Sequence, residues 1–305
     1  MYMSKKPDFL TFMSSRADRL EEDGRYGTAH VYRSALRRLG AYWGDRPFRF
    51  TDLTPGWLSA YQSYLQGEGL RWNTISTYLR TLRAVYRQGV DLGLVPARAG
   101  LFRHVYTGSR PGERRSLSEA SLRLLGVTPQ ADARLEAARR QFLLLFALRG
   151  IPFVDVAYLR PCDLRGGVLS YRRRKTGACL RVRLEPSALR LLESCRSADP
   201  ASPYLLPFVR GAGRQGYLDY QHSLRRLNRS LRLLAAACGL PEPLSSYSAR
   251  HSWATLANSK NYQHELIRDA MGHSSVKVTE TYFRAHADRR IDDMNRDLLS
   301  AVLPG

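Results

Sequence analysis

Residues 167–184, GVLSYRRRKTGACLRVRL, constrain the fold more than any other stretch of the chain. Two runs of alternating character flank Thr176-Gly177, which is the pattern of a β-hairpin. On the return strand Leu180, Val182 and Leu184 fall on one face, and Arg181 and Arg183 on the other, because side chains alternate along a strand. On the outgoing strand Arg173 and Lys175 are two apart and are predicted to point the same way. The segments on either side carry helical rather than alternating periodicity. A hairpin set between helical blocks predicts a fold that is mainly α with a small β-hairpin or sheet.

Before the hairpin, apolar residues recur at helical spacing over 8–22, over 26–43 and again from Pro55. Thr54-Pro55 reads as a helix start, with Thr as cap and Pro at the first helical position. A fourth helix is predicted to start near Asn73 as its cap, burying Ile75, Leu79, Leu82 and Val85 and exposing Arg80, Arg83 and Arg87. A four-helix bundle with that basic face suits a DNA groove; a solvated charged face is the alternative. VYTGSRPGERRSL breaks the pattern with Gly, Pro and charge. The predicted organisation is a helical domain over 1–105, a linker over 106–117 and a mixed α+β domain over 118–305. In the second domain helices are expected at 118–126, 131–148, 186–196, 219–238, 246–258, 262–271 and 276–288. The tail from 287 ends in an amphipathic segment with Met294, Leu298, Leu299 and Val302.

Charge narrows the partners. Forty-eight Lys and Arg against 27 acids give a net charge of +21. Such an excess repels itself unless a polyanion is near, so nucleic acid is the expected partner; an arginine-rich compositional bias is the bland alternative. No apolar run approaches the roughly 20 residues a membrane span needs, and the N-terminus lacks a signal-peptide core. Cys162, Cys179, Cys195 and Cys238 form no CxxC pair, which reads as reduced thiols in a cytoplasm. Asp292 and Asp293 have no third ligand spaced to join them, so no metal and no cofactor is expected. His104, His222 and His264 lack partner patterns, and Trp253 reads as core.

Four pieces carry chemistry: RRRKTG (172–177), YSARHSWAT (247–255), MGHSS (271–275) and TETYF (279–283). Together they match what attack on a phosphodiester requires. A tyrosine hydroxyl, with a pKa near 10 in water, needs its anion stabilised before it becomes a nucleophile. Fixed guanidinium forks suit the crowded phosphate, and a lysine can protonate the departing oxygen. Guanidinium groups thereby supply the neutralisation that a metal would otherwise give.

In order and spacing these pieces resemble the tyrosine recombinase (phage integrase) family. Met271-Gly272-His273 stands for its Leu-Gly-His, with Tyr282 nine residues beyond the histidine. Tyr247-Ser248-Ala249-Arg250-His251 stands for its His-x-x-Arg-His, and Lys175-Thr176 for its hairpin lysine. The resemblance implies a core-binding helical bundle followed by a catalytic domain, and site-specific cutting and rejoining of DNA through a 3′-phosphotyrosine. It implies Tyr282 as nucleophile, Arg250 as phosphate clamp, His273 as hydrogen-bond donor and Lys175 as general acid. Arg181, Arg183 and the arginines of the fourth helix would bind DNA. His251 stands evenly between a phosphate contact and a buried structural histidine.

Two departures from the family pattern stand out. Its first box, Gly-x-Arg-x-x-Glu, aligns with Gly150-Ile151-Pro152-Phe153-Val154-Asp155, so proline occupies the arginine position. Arg149, a helical turn upstream, and Arg173, on the strand face of Lys175, are the two candidate replacements, and strand geometry favours Arg173. Divergent integrases of Bacteroides-like bacteria resemble this arrangement. Tyr247 occupies the place of a histidine or lysine; its hydroxyl still donates a hydrogen bond but is a weaker base.

By the same resemblance, the tail would dock on a neighbouring subunit in a homotetramer on synapsed DNA, from a protein that is a monomer or weak oligomer when free. The bundle's early start leaves no room for an arm-binding domain and points to a DNA invertase, a transposon or integron-like integrase, or a dimer resolvase. Location at the bacterial nucleoid is implied. The competing functions are an inactive two-domain DNA clamp and a type IB topoisomerase.

Overall fold

The computed structural model describes residues 8–110, 116–241 and 244–272. It divides into two compact units, Met1–Gly112 and Glu113–Gly305.

Unit 1 is a helical bundle of α1 (Phe9–Glu22), α2 (Tyr26–Trp43), α3 (Pro55–Gly67) and α4 (Trp72–Asp91). Local chemistry sets the helix starts. The Asp8 carboxylate accepts from the Leu10 and Thr11 amides, and the Thr54 hydroxyl accepts from the Trp57 amide at 3.1 Å, with Pro55 in the first turn. Phe9, Leu39, Phe48, Leu58, Tyr61, Ile75, Leu79 and Leu82 are fully buried. Each is worth about 1.5–3 kcal/mol of apolar burial. Phe50 reaches this core only because position 89 is glycine: a Cβ there would lie 2.2 Å from the Phe50 ring.

Unit 2 begins with α5 (Glu119–Val127) and α6 (Ala133–Ala147), followed by a short α7 (Phe153–Val156). A three-stranded antiparallel sheet follows, in the order β1 (Leu164–Arg165), β2 (Val168–Arg172), β3 (Cys179–Arg183). Then come α8 (Pro186–Ser194), α9 (Gly213–Ala237), α10 (Ser246–Ser259) and α11 (His264–Met271). Phe142, Leu144 and Leu145 of α6 are buried in a core shared with Leu231 and Leu234 of α9 and Ala249 of α10.

Several expectations need correction. The hairpin is two strands of a three-stranded sheet; β1 is too short to show periodicity. Its connection spans 173–178 rather than Thr176-Gly177, closed by the Arg173 amide on the Ala178 carbonyl and the Gly177 amide on the Arg173 carbonyl. Arg173 therefore lies beyond the strand, and Lys175 sits in the turn. The two share no strand face: Arg173 is buried and Lys175 exposed. On β3, Val182 is buried and Arg181 and Arg183 are exposed, as the alternation requires. Asn73 is not the cap of α4, which starts at Trp72 with Arg71 at the cap position, two residues before Asn73. The helix expected from 219 begins at Gly213. The one expected over 276–288 and the amphipathic tail lie outside the described residues.

Candidate active site

The site grows from helix α10. Ser245 and Ser248 cap its start reciprocally, each hydroxyl accepting the other's amide, at 3.3 and 3.1 Å. The buried side of α10 is unusually polar: Ser246, Ser248, Arg250, Ser252 and Asn258 are all inside. Arg250, 3% exposed, donates from Nη1 to the Gly150 carbonyl and from Nη2 to the Met271 carbonyl, both at 2.8 Å.

Gly150 makes that approach possible. The chain leaves α6 through two successive left-handed residues, Arg149 (φ 58°) and Gly150 (φ 65°). A Cβ on Gly150 would lie 2.6 Å from the Arg250 Cα. The family-like glycine thus serves twice, for its backbone conformation and for the space beside α10.

Arg173 meets Arg250. Its Nε donates to Asp155 Oδ2 at 3.0 Å, and its Nη1 to the carbonyls of Met271 and Gly272 at 2.9 and 3.1 Å. The other Asp155 oxygen accepts the Arg174 amide at 2.9 Å. The Asp155 side chain is 0% exposed, so the pair is a buried ion pair with both partners hydrogen-bonded. Pro152 does not face this cluster as a donor; it starts α7, its carbonyl accepting the Asp155 amide at 2.9 Å, and so helps place Asp155.

Both guanidinium groups converge on the Met271 carbonyl, at the C-terminal end of α11. A helix end of that polarity favours cations. Gly272 ends the helix in the left-handed conformation (φ 62°, ψ 44°). Tyr171 lies within range of these charges: burial first, then Asp155, pushes its hydroxyl up to about 12, while Arg173, Arg250 and Arg149 pull it back. It is a neutral phenol at neutral pH.

The remaining predicted residues fall differently. Lys175 is exposed at the tip of the strand connection, without a hydrogen bond or ion pair among the described residues. Arg149 turns to β3, its Nη1 donating to the Arg181 carbonyl at 3.4 Å. The helical turn that would have kept it in line with position 152 does not persist, because Arg149 is left-handed. Tyr247 is 50% exposed on the first turn of α10, its ring edge-on to His251 at 4.8 Å, and His251 is half-buried. His273 and Tyr282 lie outside the described residues.

Of the DNA-face arginines, Arg80 and Arg87 are exposed and Arg83 half-buried. Arg83 and Arg87 line a 370 Å³ cleft with Arg98 and Arg103 in unit 1. Sequence reasoning missed two features. One is Asp155, whose signal was its place as the acidic end of the Gly150–Asp155 box. The other is α9, where Arg225, Arg226, Arg229 and Arg232 are exposed opposite buried Leu227, Leu231 and Leu234, with no salt bridge among the described residues. Their i, i+4, i+7 spacing was legible.

No described helix is long and apolar enough to cross a membrane, and no group of three His, Cys, Asp or Glu among the described residues is placed to hold a metal.

Comparison with known proteins follows the same two units. Residues 8–99 match the phage integrase SAM-like domain, and residues 132–289 match the phage integrase family, more than half of the chain. A tyrosine recombinase XerC of Agrobacterium fabrum is 26% identical over 292 residues, covering 91% of this chain and 90% of the relative. Among solved structures, a lambda integrase tetramer bound to a Holliday junction is similar with a TM-score of 0.62 and 18% identity, covering 87% of this chain and 75% of that one. A Tn1549 transposon integrase in complex with circular intermediate DNA gives 0.61 and 15%, covering 91% and 95%. At such identities the structural likenesses speak for the fold: mostly helical, with a small sheet. Matched over both its helical N-terminal part and its arginine-bearing second part, the chain belongs to the phage integrase family.

Proposed function

We propose that this protein is a site-specific DNA recombinase in which Tyr282 attacks the scissile phosphodiester. The phenolic oxygen bonds to phosphorus as its proton leaves to a base, the bond from phosphorus to the 5′ oxygen breaks, and Lys175 protonates that oxygen. A 3′-phosphotyrosine results, and the reverse step on a new 5′ hydroxyl rejoins the strand. Arg250 and Arg173 hold the phosphate oxygens and His273 adds a hydrogen bond, with no metal required.

The carrying observation is that Arg173 and Arg250 meet at the Met271 carbonyl, two residues before His273. Arg173, held by buried Asp155, takes the place of the arginine absent at Pro152; Arg149 is directed to the Arg181 carbonyl instead. Lys175 is on an exposed turn, which supports a role on DNA that approaches from outside. Arg80, Arg83, Arg87, Arg181, Arg183 and His251 supply phosphate contacts, and the α9 arginines extend that set. Tyr247 supplies a hydroxyl donor at the phosphate.

The organisation follows as a core-binding domain over 1–105, a linker over 106–117 and a catalytic domain over 118–305. The synaptic form is a homotetramer, as in the lambda integrase structure of similar fold. The segment with Met294, Leu298, Leu299 and Val302 docks on a neighbour; a 500 Å³ groove lined by Phe146, Trp253, Leu256, Ile267 and Ala270 is apolar enough to receive it. The place of action is the bacterial cytoplasm, on DNA.

Trapping on a nicked suicide duplex without divalent metal tests the proposal. The wild-type chain forms a covalent adduct whose peptide map ends at Tyr282, and Tyr282→Phe binds but forms none. Arg173→Ala slows adduct formation by about 10²–10³-fold, the usual effect of losing one preorganised donor, and Arg149→Ala by far less. An adduct with Tyr282→Phe removes the nucleophile assignment, and the opposite order of the two arginines moves the clamp to Arg149.

A further inference from the structure

The point where unit 1 ends has a built anchor. Asn73, in the first turn of α4, pairs both halves of its amide with the main chain of Arg110. Its Nδ2 donates to the Arg110 carbonyl, and the Arg110 amide donates to its Oδ1, both at 2.8 Å. This copies the two-bond exchange of paired antiparallel strands. Ser76, fully buried, donates to the Gly108 carbonyl at 2.5 Å. The Tyr106 amide donates to Gln62 Oε1 of α3 at 2.6 Å. The Tyr106 ring meets Trp72 edge-on at 5.3 Å, and the Arg110 guanidinium lies 4.2 Å over the same indole. Gly108 is fitted to this packing, because a Cβ there would press on the Tyr106 ring at 3.1 Å. So α3 and α4 hold a Tyr-Thr-Gly-Ser-Arg segment that has no apolar pattern of its own.

We propose that Asn73 is a positioning residue that straps residues 106–110 onto unit 1 and thereby shortens the connection between the units. On the other side the first anchor is Leu117, buried, whose amide donates to Ser252 Oγ at 2.8 Å. With the strap in place six residues (111–116) separate the anchors; with it released, eleven (106–116) do. The effective concentration of one tethered module for its partner site falls roughly as the −3/2 power of tether length. The strap therefore raises the effective concentration of the second unit, once the first has bound, by about 2.5-fold. This rests on the recombinase reading, in which both units grip one duplex.

The test uses the full chain, with Asn73→Ala and the near-isosteric Asn73→Asp, which keeps the acceptor and loses the donor. Thr77→Ala is the control, since among the described residues that hydroxyl bonds only to the Asn73 carbonyl of its own helix. Hydrogen exchange is read at the amides of residues 106–110, and affinity is read on a mixed-sequence DNA duplex at low salt. Asn73→Ala leaves Gly108 held by Ser76, so eight residues (109–116) replace six. It is expected to speed exchange at Arg110 by about tenfold and to weaken duplex affinity about 1.5-fold, with Asn73→Asp between it and wild type and Thr77→Ala unchanged. Unchanged exchange in Asn73→Ala overturns the anchor. Faster exchange with unchanged affinity overturns the positioning role. Wild-type protein that fails to bind the duplex overturns the recombinase reading and the positioning role with it, while the exchange measurement still decides the strap.

Discussion

The two units bury opposite kinds of chemistry. Unit 1 is centred on Phe9, Phe48, Leu58, Tyr61 and Leu79, a core of rings and aliphatic side chains. Unit 2 has an apolar core too, but at one end of α10 it buries Asp155, Arg173 and Arg250. The first arrangement is stabilised by area removed from water and tolerates shape-preserving change. The second depends on every donor finding an acceptor, and the acceptors are mostly main-chain carbonyls of Gly150, Met271 and Gly272. A site built on carbonyls depends on backbone path, so its weak points are the residues that shape the path.

The sharpest way to break this contrast is a pair of truncations. Phe9→Ala is expected to cost about 3–5 kcal/mol by opening a cavity, lowering the unfolding transition of unit 1. Asp155→Ala is expected to cost a similar 3–5 kcal/mol by leaving Arg173 buried without its carboxylate. The two losses differ in kind: Asp155→Asn recovers little, because the charge is what is missing, whereas Phe9→Leu recovers most of its loss. Urea titrations followed by hydrogen exchange in each unit separate them. Equal recovery by both conservative changes would erase the distinction.

Two glycines sharpen it at smaller scale. Gly150→Ala is expected to cost about 2–4 kcal/mol, from left-handed strain plus displacement of the α10 backbone. Gly89→Ala meets the Phe50 ring on an α-helical backbone, so overpacking of about 1–3 kcal/mol is partly offset by alanine's helix preference. Thermal denaturation should rank Gly150→Ala as the worse. The reverse ranking would mean that the ring yields less readily than the main chain.

The smallest expected effect is electrostatic. Glu136 accepts from Arg139 and from the Gln130 amide, and the Arg139 guanidinium, as the largest influence, holds its carboxyl down at about 2. A depressed carboxylate contributes stability above its unfolded pKa of about 4.3, and that contribution is lost as pH falls from there towards 2. Glu136→Gln should therefore cost about 1 kcal/mol at neutral pH, with the difference shrinking below the unfolded value and vanishing only once pH falls through about 2. A difference that is flat across this range would assign the effect to packing.

Much of the fold was legible because it follows local rules. The helical period placed α1 to α4 closely, Thr54-Pro55 marked a helix start, and alternation placed Val182 inward and Arg181 outward on β3. Reasoning failed where a side chain had a distant partner. Asn73 has the composition of a cap, yet its amide is spent on Arg110, 37 residues away. Arg173 and Lys175 do not share a face, because strand alternation does not extend past Arg172, where β2 ends. Arg149 has no helical register with position 152, because α6 stops before it. The α9 arginine stripe, by contrast, is visible in the spacing alone.

By itself the sequence determined where most helices and the hairpin lie, how strongly the chain attracts polyanions, and which family its histidine, arginine and tyrosine spacings belong to. Those properties reside in neighbouring residues, in composition and in order along the chain. The tertiary structure alone decided that Asp155, Arg173 and Arg250 share one buried network and that Gly150 is the space they need. Each of those contacts closes a loop of tens of residues, with its outcome set by the backbone path between the partners. Periodicity carries no record of that path.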